Sequence, residues 1–521
     1  MKFFYSILTL VLFSVSAGAA PPEVKIVSSS TNALEEYAAS ELSDLLKNLF
    51  QAEVEIVNKI PDGAENVILL GNFALSNGIL KKEQLISISD QGVVLQSTPS
   101  GLIIRGGSPA ATLWAVYEFG HSFGMRYLLH GDYPPIDQAE FTLAGFDTFI
   151  PEPTTIVRGW RAIDSGAAGQ ESWGLTDYGK LLRQLAKLKF NQVTLVVHEG
   201  QPFRDFDKGG DGVLWGGEDF PVSGETAGRS VFDGAKVFEN PDFVGKEAAE
   251  AAVGLMGGIR DSAEKLGIKV KIEKAGSNTD SNPSVISMGQ SKGGLLPQVY
   301  TGDLAKVAKE QQGFVLKGWI PGDLDMDVYY LSRASFFPDI TPAESLDSLI
   351  TPICGEGVAA RLANGFAAIR KVSALIEKED PDFAVPDPKM FMEHFESGEA
   401  VPEWWAKAKE HYGAAVNEMY RGNTRARGGA RPFILYHAKR FTFALHYMTA
   451  VEHARLAGIA RKEKDEDAWS ENLELSVEAM HNALSIYAEV ARNNSDRGVI
   501  AVLNKYAYRP LLGALDEAPL P

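Results

Sequence analysis

The sequence is poor in cysteine and in basic residues. Cys354 is its one cysteine among 521 residues, so no internal disulfide can form and stability must come from apolar cores. Lysine and arginine total 50 against 68 aspartates and glutamates, which gives a formal net charge of −18. Because phosphate groups repel so acidic a surface, the composition argues against a nucleic-acid partner.

Long apolar runs are confined to the N-terminus. Lys2 precedes an apolar core at residues 3–15, and Ala17-Gly18-Ala19 has the small side chains of a signal-peptidase site. We interpret residues 1–19 as a secretory signal peptide, cleaved after Ala19 because cleavage one residue later would leave a proline directly after the cut. No later run reaches the ~18 apolar residues of a membrane span. The sequence thus predicts a secreted or periplasmic protein without a membrane span.

Motifs for metals and nucleotides are also missing. The sequence has no Cys/His zinc spacing and no glycine-rich nucleotide loop after a strand. The loop at residues 205–215 carries carboxylates, but Gly209 stands where a calcium loop needs its third ligand. We therefore predict no metal site and no cofactor, and the sequence indicates no oligomeric state.

The stretch at residues 156–199 predicts a strand, a helix and a second strand. The apolar runs at residues 155–157 and 193–197 are typical of parallel strands buried on both faces, and residues 176–190 are amphipathic. Such units build (β/α) barrels, whose active sites lie at the C-terminal ends of the strands.

The whole sequence predicts the fold class α/β plus α, in which α/β regions are followed by an all-helical region. We expect a small N-terminal α/β domain at residues 20–150, an abbreviated TIM-like (β/α) barrel at 151–341 and a C-terminal helical bundle at 342–521. The barrel region has roughly 190 residues against about 250 in a typical barrel, and about five strands can be counted. Residues 277–294 show no period, whereas 298–300 predict a short strand.

Three segments of the first domain resemble a known family. They are residues 101–107 (GLIIRGG), 111–119 (ATLWAVYEF) and 124–128 (GMRYL). They are similar to the accessory domain that precedes the catalytic barrel in α-glucuronidases and β-N-acetylhexosaminidases, and residues 327–346 are similar to the α-glucuronidase segment that leads into the helical region. The resemblance implies a glycoside hydrolase that acts on poly- or oligosaccharides. The substrate could contain uronic acids or amino sugars. The resemblance implies no catalytic residue in the first domain.

Glycoside hydrolysis usually requires two carboxyl groups. We predict Glu199, directly after the most apolar strand, and Asp164, after the first strand, as the catalytic pair. The alternative for each is a loop carboxylate that caps a helix or pairs with an arginine. Further carboxylates near predicted strand ends are Glu273, Asp323, Asp325 and Asp327.

We predict five substrate-binding residues with polar or aromatic side chains, which lie near strand ends or in the loop at residues 205–215. They are Arg158, Arg161, His198, Trp215 and Asp325. We interpret the two arginines as pointing the same way, opposite Trp160, where either could hold a uronate carboxylate bidentately. Internal pairing with Glu171 or Asp177 is the alternative. Trp215 could stack on a sugar or anchor its own loop.

Two functions remain open from the sequence. The first is a secreted glycoside hydrolase, and the alternative is a non-catalytic carbohydrate-binding protein on a degenerate glycosidase scaffold. A structural protein of the cell envelope has less support. A basic loop is formed by Arg421, Arg425, Arg427 and Arg431 around Gly428-Gly429. It could contact an acidic glycan, or it could be an interhelical loop with internal ion pairs.

Overall fold

The computed structural model describes most of the chain. The described residues are 20–28, 31–73, 88–162, 166–197, 205–206, 212–215, 218–232, 248–274, 286–289, 295–318, 320–379, 383 and 388–518. They form, in chain order, an α/β region, a parallel sheet with helices and a helical region. No helix in these ranges is long and apolar enough to cross a membrane.

The first region is a six-stranded mixed sheet with two helices. Its elements are β1 (Glu23–Val27), α1 (Ala33–Phe50), β2 (Glu53–Val57), β3 (Val67–Leu70), β4 (Val93–Thr98), β5 (Gly101–Gly106), α2 (Pro109–Ser122), β6 (Arg126–Leu128), β7 (Gly131–Tyr133) and β8 (Asp147–Ile150). The strand order is β2-β1-β3-β5-β4-β8, and β6 and β7 form a separate hairpin. Asn32 caps the start of α1, because its side chain accepts hydrogen bonds from the backbone N–H groups of Leu34 and Glu35.

The central region contains a five-stranded sheet in which every pairing is parallel. Its elements are β9 (Val157–Arg161), α3 (Leu175–Lys187), β10 (Gln192–Val197), β11 (Asp205–Phe206), β12 (Gly212–Trp215), β13 (Glu218–Pro221), α4 (Ala248–Glu264), β14 (Lys269–Lys274), β15 (Ile286–Gly289), α5 (Leu304–Ala308), β16 (Gly313–Lys317) and α6 (Asp325–Phe336). The order is β14-β10-β9-β16-β15, so the first strand lies in the middle and pairs with the last. Strands β11 to β13 form a small antiparallel sheet.

The two faces of the parallel sheet differ in polarity. On one face the side chains of Trp160, Val193, Leu195, Phe314 and Leu316 are buried in the core. Helix α3 contributes its apolar stripe to the same core through Leu181, Leu182 and Leu185. Since neighbouring residues of a strand point to opposite faces, most polar residues of these strands lie on the other face, and Arg158 is an exception.

One strand prediction is wrong and one strand was missed. Residues 298–300 are not a strand, because side chains satisfy their backbone donors: Val299 N donates to Ser373 Oγ at 3.1 Å, and Tyr300 N donates to Asp327 Oδ2 at 3.1 Å. The strand β15 instead lies within residues 277–294, where we predicted none, and pairs with β16. Four residues are too few to show a period.

The rest of the described chain is helical, as predicted. The helices are α7 (Pro342–Cys354), α8 (Ala359–Glu379), α9 (Glu393–Ser397), α10 (Trp404–Arg425), α11 (Arg431–Glu463), α12 (Glu466–Ala488), α13 (Asn494–Leu503) and α14 (Arg509–Asp516), with a π-helical turn at Asn504–Tyr508. Helix α7 begins with a capping box in which Thr341 and Glu344 bond each other's backbone N–H. Helix α11 is buried on many sides because it packs between α10 and α12.

The helical region packs on the loop that follows β9. The indole of Trp173 donates to Ser495 Oγ at 2.8 Å, and Gly498 of α13 lies against the backbone of Ala167. A Cβ at Gly498 would come within 1.6 Å of the Ala167 carbonyl oxygen, so this contact requires glycine. The helices therefore cover part of the C-terminal edge of the sheet.

A buried histidine in α11 makes stability depend on pH. His437 is enclosed by aromatic rings, its Nε2 has no hydrogen-bond partner, and burial, with repulsion from His130, lowers its pKa to about 3. The unfolded chain takes up the proton near pH 6.5 but the folded protein does not. The contribution of His437 to stability is therefore fully present above pH 6.5 and is lost as the pH falls towards 3.

At pH 5 the wild type should have lost about 2 kcal/mol of its free energy of unfolding through His437, and we expect His437→Phe to lack this loss. The aromatic substitution retains the contacts with Phe433 and Phe441. Urea denaturation between pH 5 and 7 measures the effect, with His411→Phe as the control. Identical pH slopes for the wild type and His437→Phe would contradict the assignment.

Candidate active site

An ion pair lies on the polar face of the parallel sheet near its C-terminal edge. Arg161 is the last residue of β9, and its Nη1 donates to Oε2 of Glu273 in β14. The two strands are not neighbours: β10 runs between them, with Thr194 aligned to Arg161 and Val196 to Glu273. The side chains are 21% and 14% exposed, so the pair is partly screened from water but remains accessible.

The described part of this face carries more positive than negative charge. Strand alternation places Lys271 of β14 and Lys317 of β16 on the same face as Arg161 and Glu273. Glu273 is the one acid among these four residues. In a chain with a net charge of −18, this face is a local site where an anionic group of a ligand would be stabilised.

The loops that follow β9 and β16 are joined at the C-terminal edge of the sheet. Trp160 Nε1 donates to Gln170 Oε1 at 3.2 Å, and Gln170 Nε2 donates to the carbonyl of Gly318 at 3.1 Å. Tyr178 Oη also donates to the Gln170 carbonyl at 2.9 Å. Because β9 and β16 are neighbours, these bonds fix two adjacent strand ends relative to each other.

Arg158 does not share the face of Arg161, and that part of the prediction is wrong. The two residues are three positions apart on a regular strand, so their side chains point to opposite faces. Arg158 is fully buried: its Nε donates to the Lys189 carbonyl and its guanidinium lies 5.0 Å from the Trp114 ring. Burial lowers its pKa to about 9. We leave it out of the proposed site, because it joins the first region to the central one.

The other predicted site residues are only partly described. Asp164, His198 and Glu199 lie outside the described residues. Trp215 ends β12, where its backbone is aligned with Glu218 in the antiparallel sheet, and its side chain lies outside the description. The sequence places Glu199 two residues after Val197, the last residue of β10.

The three aspartates after β16 are buried. Asp325 accepts the backbone N–H of Leu129 at 2.7 Å and contacts His130 Nδ1. Asp323 pairs with Arg440, and burial raises the pKa of Asp327 to about 6. All three hold structural hydrogen bonds, and Asp325 is fully buried, so its carboxylate is not available for direct contact with a ligand.

The basic loop makes internal contacts. Arg427 pairs with Asp137 at 3.1 Å, and Arg421 pairs with Glu418 at 2.9 Å. The Nε of Arg431 donates to the carbonyl of Ala426. These contacts favour the alternative of an interhelical loop with internal ion pairs.

The described residues contain no group of three or more His, Cys, Asp or Glu side chains that could hold a metal ion. No protein-family model and no curated protein matches the sequence. A solved structure of a family GH115 4-O-methyl-α-glucuronidase, with specificity for decorated arabinogalactans, matches with TM-score 0.52 and 11% identity, covering 93% of this chain and 79% of that one. The chain has a glycoside-hydrolase fold.

A second solved structure resembles the chain more weakly. A GH138 enzyme that targets pectin rhamnogalacturonan II matches with TM-score 0.49 and 10% identity, covering 90% of this chain and 92% of that chain. The resemblance to α-glucuronidases noted at residues 101–128 is thus confirmed at the level of the fold. A closed TIM barrel is not confirmed, because the described residues form a five-stranded parallel sheet.

Sequence reasoning missed two residues at this edge of the sheet. Gln170 lies in a short 3-10 turn, where no period signals its contacts. Lys317 could have been found, because Phe314 and Leu316 alternate with it in β16 and predict that it points to the opposite face.

Proposed function

We propose that this protein is a secreted glycoside hydrolase-like protein that binds an acidic poly- or oligosaccharide at the C-terminal edge of the parallel sheet. The observation that carries the proposal is the accessible pair of Arg161 and Glu273 on a face that also bears Lys271 and Lys317. An arginine at a strand end can bind a uronate carboxylate through two parallel hydrogen bonds.

The strand order supports an abbreviated (β/α) barrel. In a closed barrel the first strand pairs with both the second and the last, and β9 pairs with β10 and β16 in this way. The outer strands β14 and β15 then stand where the third strand and the next-to-last strand would be. The polar face corresponds to the barrel interior, which opens towards the C-terminal edge.

The proposed roles follow from this placement. Glu199 and Asp164 continue the chain beyond β10 and β9, so we assign them as the carboxyl pair of a glycosidase mechanism. One would protonate the leaving oxygen, and the other would act as base or nucleophile. Arg161 would bind the sugar carboxylate, with His198 and Trp215 as further contacts with the sugar.

A second candidate is a carbohydrate-binding protein without catalysis. One observation favours it. Glu273, the acid found on the described polar face, forms an ion pair with Arg161. A carboxylate whose oxygen is engaged by an arginine is not free to contact a glycosidic oxygen. The cationic face would then recognise the acidic sugar without cleaving it.

Glu199→Gln distinguishes the two functions. For an enzyme we expect turnover of glucuronide and hexosaminide substrates to fall at least ~100-fold, because the substitution retains the shape of the side chain and removes its ionisation. Initial rates on 4-nitrophenyl glycosides and on uronate-containing oligosaccharides measure the effect. Wild-type binding without turnover would identify the second candidate.

Arg161→Ala tests acidic recognition in either case. We expect the affinity for uronate-containing oligosaccharides to fall at least ~10-fold, and Arg161→Lys to recover part of it. Isothermal titration measures the affinity, and Arg427→Ala, which removes an exposed ion pair elsewhere, is the matched control. Equal binding of neutral and acidic oligosaccharides, with no effect of Arg161→Ala, would refute the proposal.

A further inference from the structure

A small cavity is lined by none of the residues described on the polar face of the sheet. It has a volume of about 170 Å³ and forms where the β6–β7 turn, α3, the turn after β16 and the α12–α13 loop meet. Pockets for drug-sized ligands measure roughly 300–1,000 Å³, so this cavity suits a molecule no larger than a monosaccharide. An oligosaccharide chain would not fit.

One wall of the cavity is a histidine held in a fixed orientation. The carboxylate of Asp325 is fully buried, and it contacts His130 Nδ1 while also accepting the N–H of Leu129. A buried carboxylate at one ring nitrogen fixes the tautomer and leaves the other nitrogen for a ligand. The Nε2 of His130 has no hydrogen-bond partner in the described part of the chain. Gly322 gives the ring its space, since a Cβ there would lie 2.1 Å from Nε2.

Three cations line the same cavity. Lys180 and Arg183 are exposed on α3, three residues apart and therefore on one face of the helix. Neither forms an ion pair with another described residue. Arg492 reaches the cavity from the α12–α13 loop, where its Nη1 donates to the carbonyl of His130 at 3.3 Å.

The two acids that line the cavity are already engaged. Asp177 Oδ2 accepts the N–H of Asn494 at 3.2 Å, and burial raises the pKa of Asp177. Asp496 accepts the N–H groups of Arg492 and Asn493 through Oδ2. Both carboxylates hold the α12–α13 loop, so the groups that remain for a ligand are mainly cationic. The acids still repel multiply charged anions, which favours a monoanion.

We infer that this cavity binds a small carboxylate through Lys180, Arg183 and Arg492, and that the Nε2 of His130 accepts a hydrogen bond from a hydroxyl group of a ligand that carries one. Arginine and lysine at a carboxylate give short, charge-assisted hydrogen bonds. The site shares no residue with the polar face of the parallel sheet. It therefore stands apart from the proposed function.

The inference is tested by isothermal titration of the full chain with four probes. D-glucuronate and acetate should bind, D-glucose should not, and inorganic phosphate should bind more weakly than acetate. The double variant Lys180→Glu and Arg183→Glu should weaken D-glucuronate binding at least ~10-fold, equivalent to about 1.4 kcal/mol. Because both side chains are exposed, the circular dichroism spectrum should not change.

Two control variants separate this site from the polar face. Lys378→Glu removes an exposed cation of α8 outside the cavity and should leave D-glucuronate binding unchanged. Arg161→Ala removes the uronate contact of the proposed function, so D-glucuronate binding that persists in this variant belongs to the cavity. Absent carboxylate binding, equal binding of glucose, tighter binding of phosphate, or loss of binding in Arg161→Ala alone would each overturn the inference. The last outcome would leave the proposed function intact.

Discussion

Glu118→Gln should lower the free energy of unfolding by about 3–5 kcal/mol, the usual cost of removing one partner from a buried ion pair. Glu118 of α2 accepts a hydrogen bond from Lys189 Nζ at 2.9 Å and two from Arg333 at 2.6 and 3.1 Å. All three residues are buried. The substitution would leave two cations in the interior without a counter-charge, at the contact between the first region and the central one.

The pH dependence of the same group has a defined sign. Burial alone would raise the pKa of Glu118, but the attraction of Arg333 and Lys189 outweighs it and holds the pKa well below the ordinary value of 4.5. A depressed pKa in the folded state gives stability that is fully present above the unfolded value and is lost as the pH falls below it. Wild-type stability should therefore decline below about pH 4.5, and Glu118→Gln should lack this component.

Urea denaturation at pH 7 measures the effect of Glu118→Gln. The matched control is Glu55→Gln, which removes an exposed pair with Lys25 and should cost less than about 1 kcal/mol. Replacing Glu118, Lys189 and Arg333 together by methionine should recover much of the loss, because no buried charge then remains unpaired. A loss for Glu118→Gln no larger than that of the control would show that the network does not stabilise the fold.

Asp323→Asn should also cost about 3–5 kcal/mol. Asp323 follows β16, and its two oxygens accept hydrogen bonds from Arg440 at 3.0 and 2.7 Å and from Tyr436 at 3.1 Å. Arg440 of α11 is fully buried, and its Nη1 has no partner. A neutral amide would leave this guanidinium without its counter-charge, at the contact between the sheet and the helical region.

The matched control for this variant is Asp303→Asn at the N-terminus of α5. Asp303 caps the helix by accepting the N–H of Lys306, and its replacement should cost no more than about 1 kcal/mol. Guanidinium denaturation followed by tryptophan fluorescence measures both variants. If Asp323→Asn and Asp303→Asn were equally mild, the charge of Asp323 would not be needed to hold α11.

Much of the fold was predictable because its periods are long and regular. The helices of the C-terminal region repeat their apolar residues over many positions, and β10 is a nearly continuous apolar run. The strand prediction at residues 298–300 is wrong because this stretch is buried like a strand but does not pair with one. The side chains of Ser373 and Asp327 accept its backbone hydrogen bonds instead. Sequence alone does not reveal such side-chain partners.

The charged residues of the interior show a different limit. Arg161 was predicted as a site residue from its place at a strand end, and Glu273 was noted for the same reason. Their pairing depends on β10 running between them, which only the sheet order reveals. Glu118 and Arg333 lie on helices far apart in sequence, so nothing local marks them as partners.

The central position of β9 in the parallel sheet has a consequence for biosynthesis. Its partner β10 follows after one helix, but its other partner, β16, is synthesised about 150 residues later. At about 5–20 residues per second, a ribosome takes roughly 8–30 s to complete that interval. During this time β9 presents an unpaired edge to which another nascent chain could add. The sheet is therefore completed late in synthesis. Binding of a chaperone to β9 in this interval would prevent aggregation of the nascent chain.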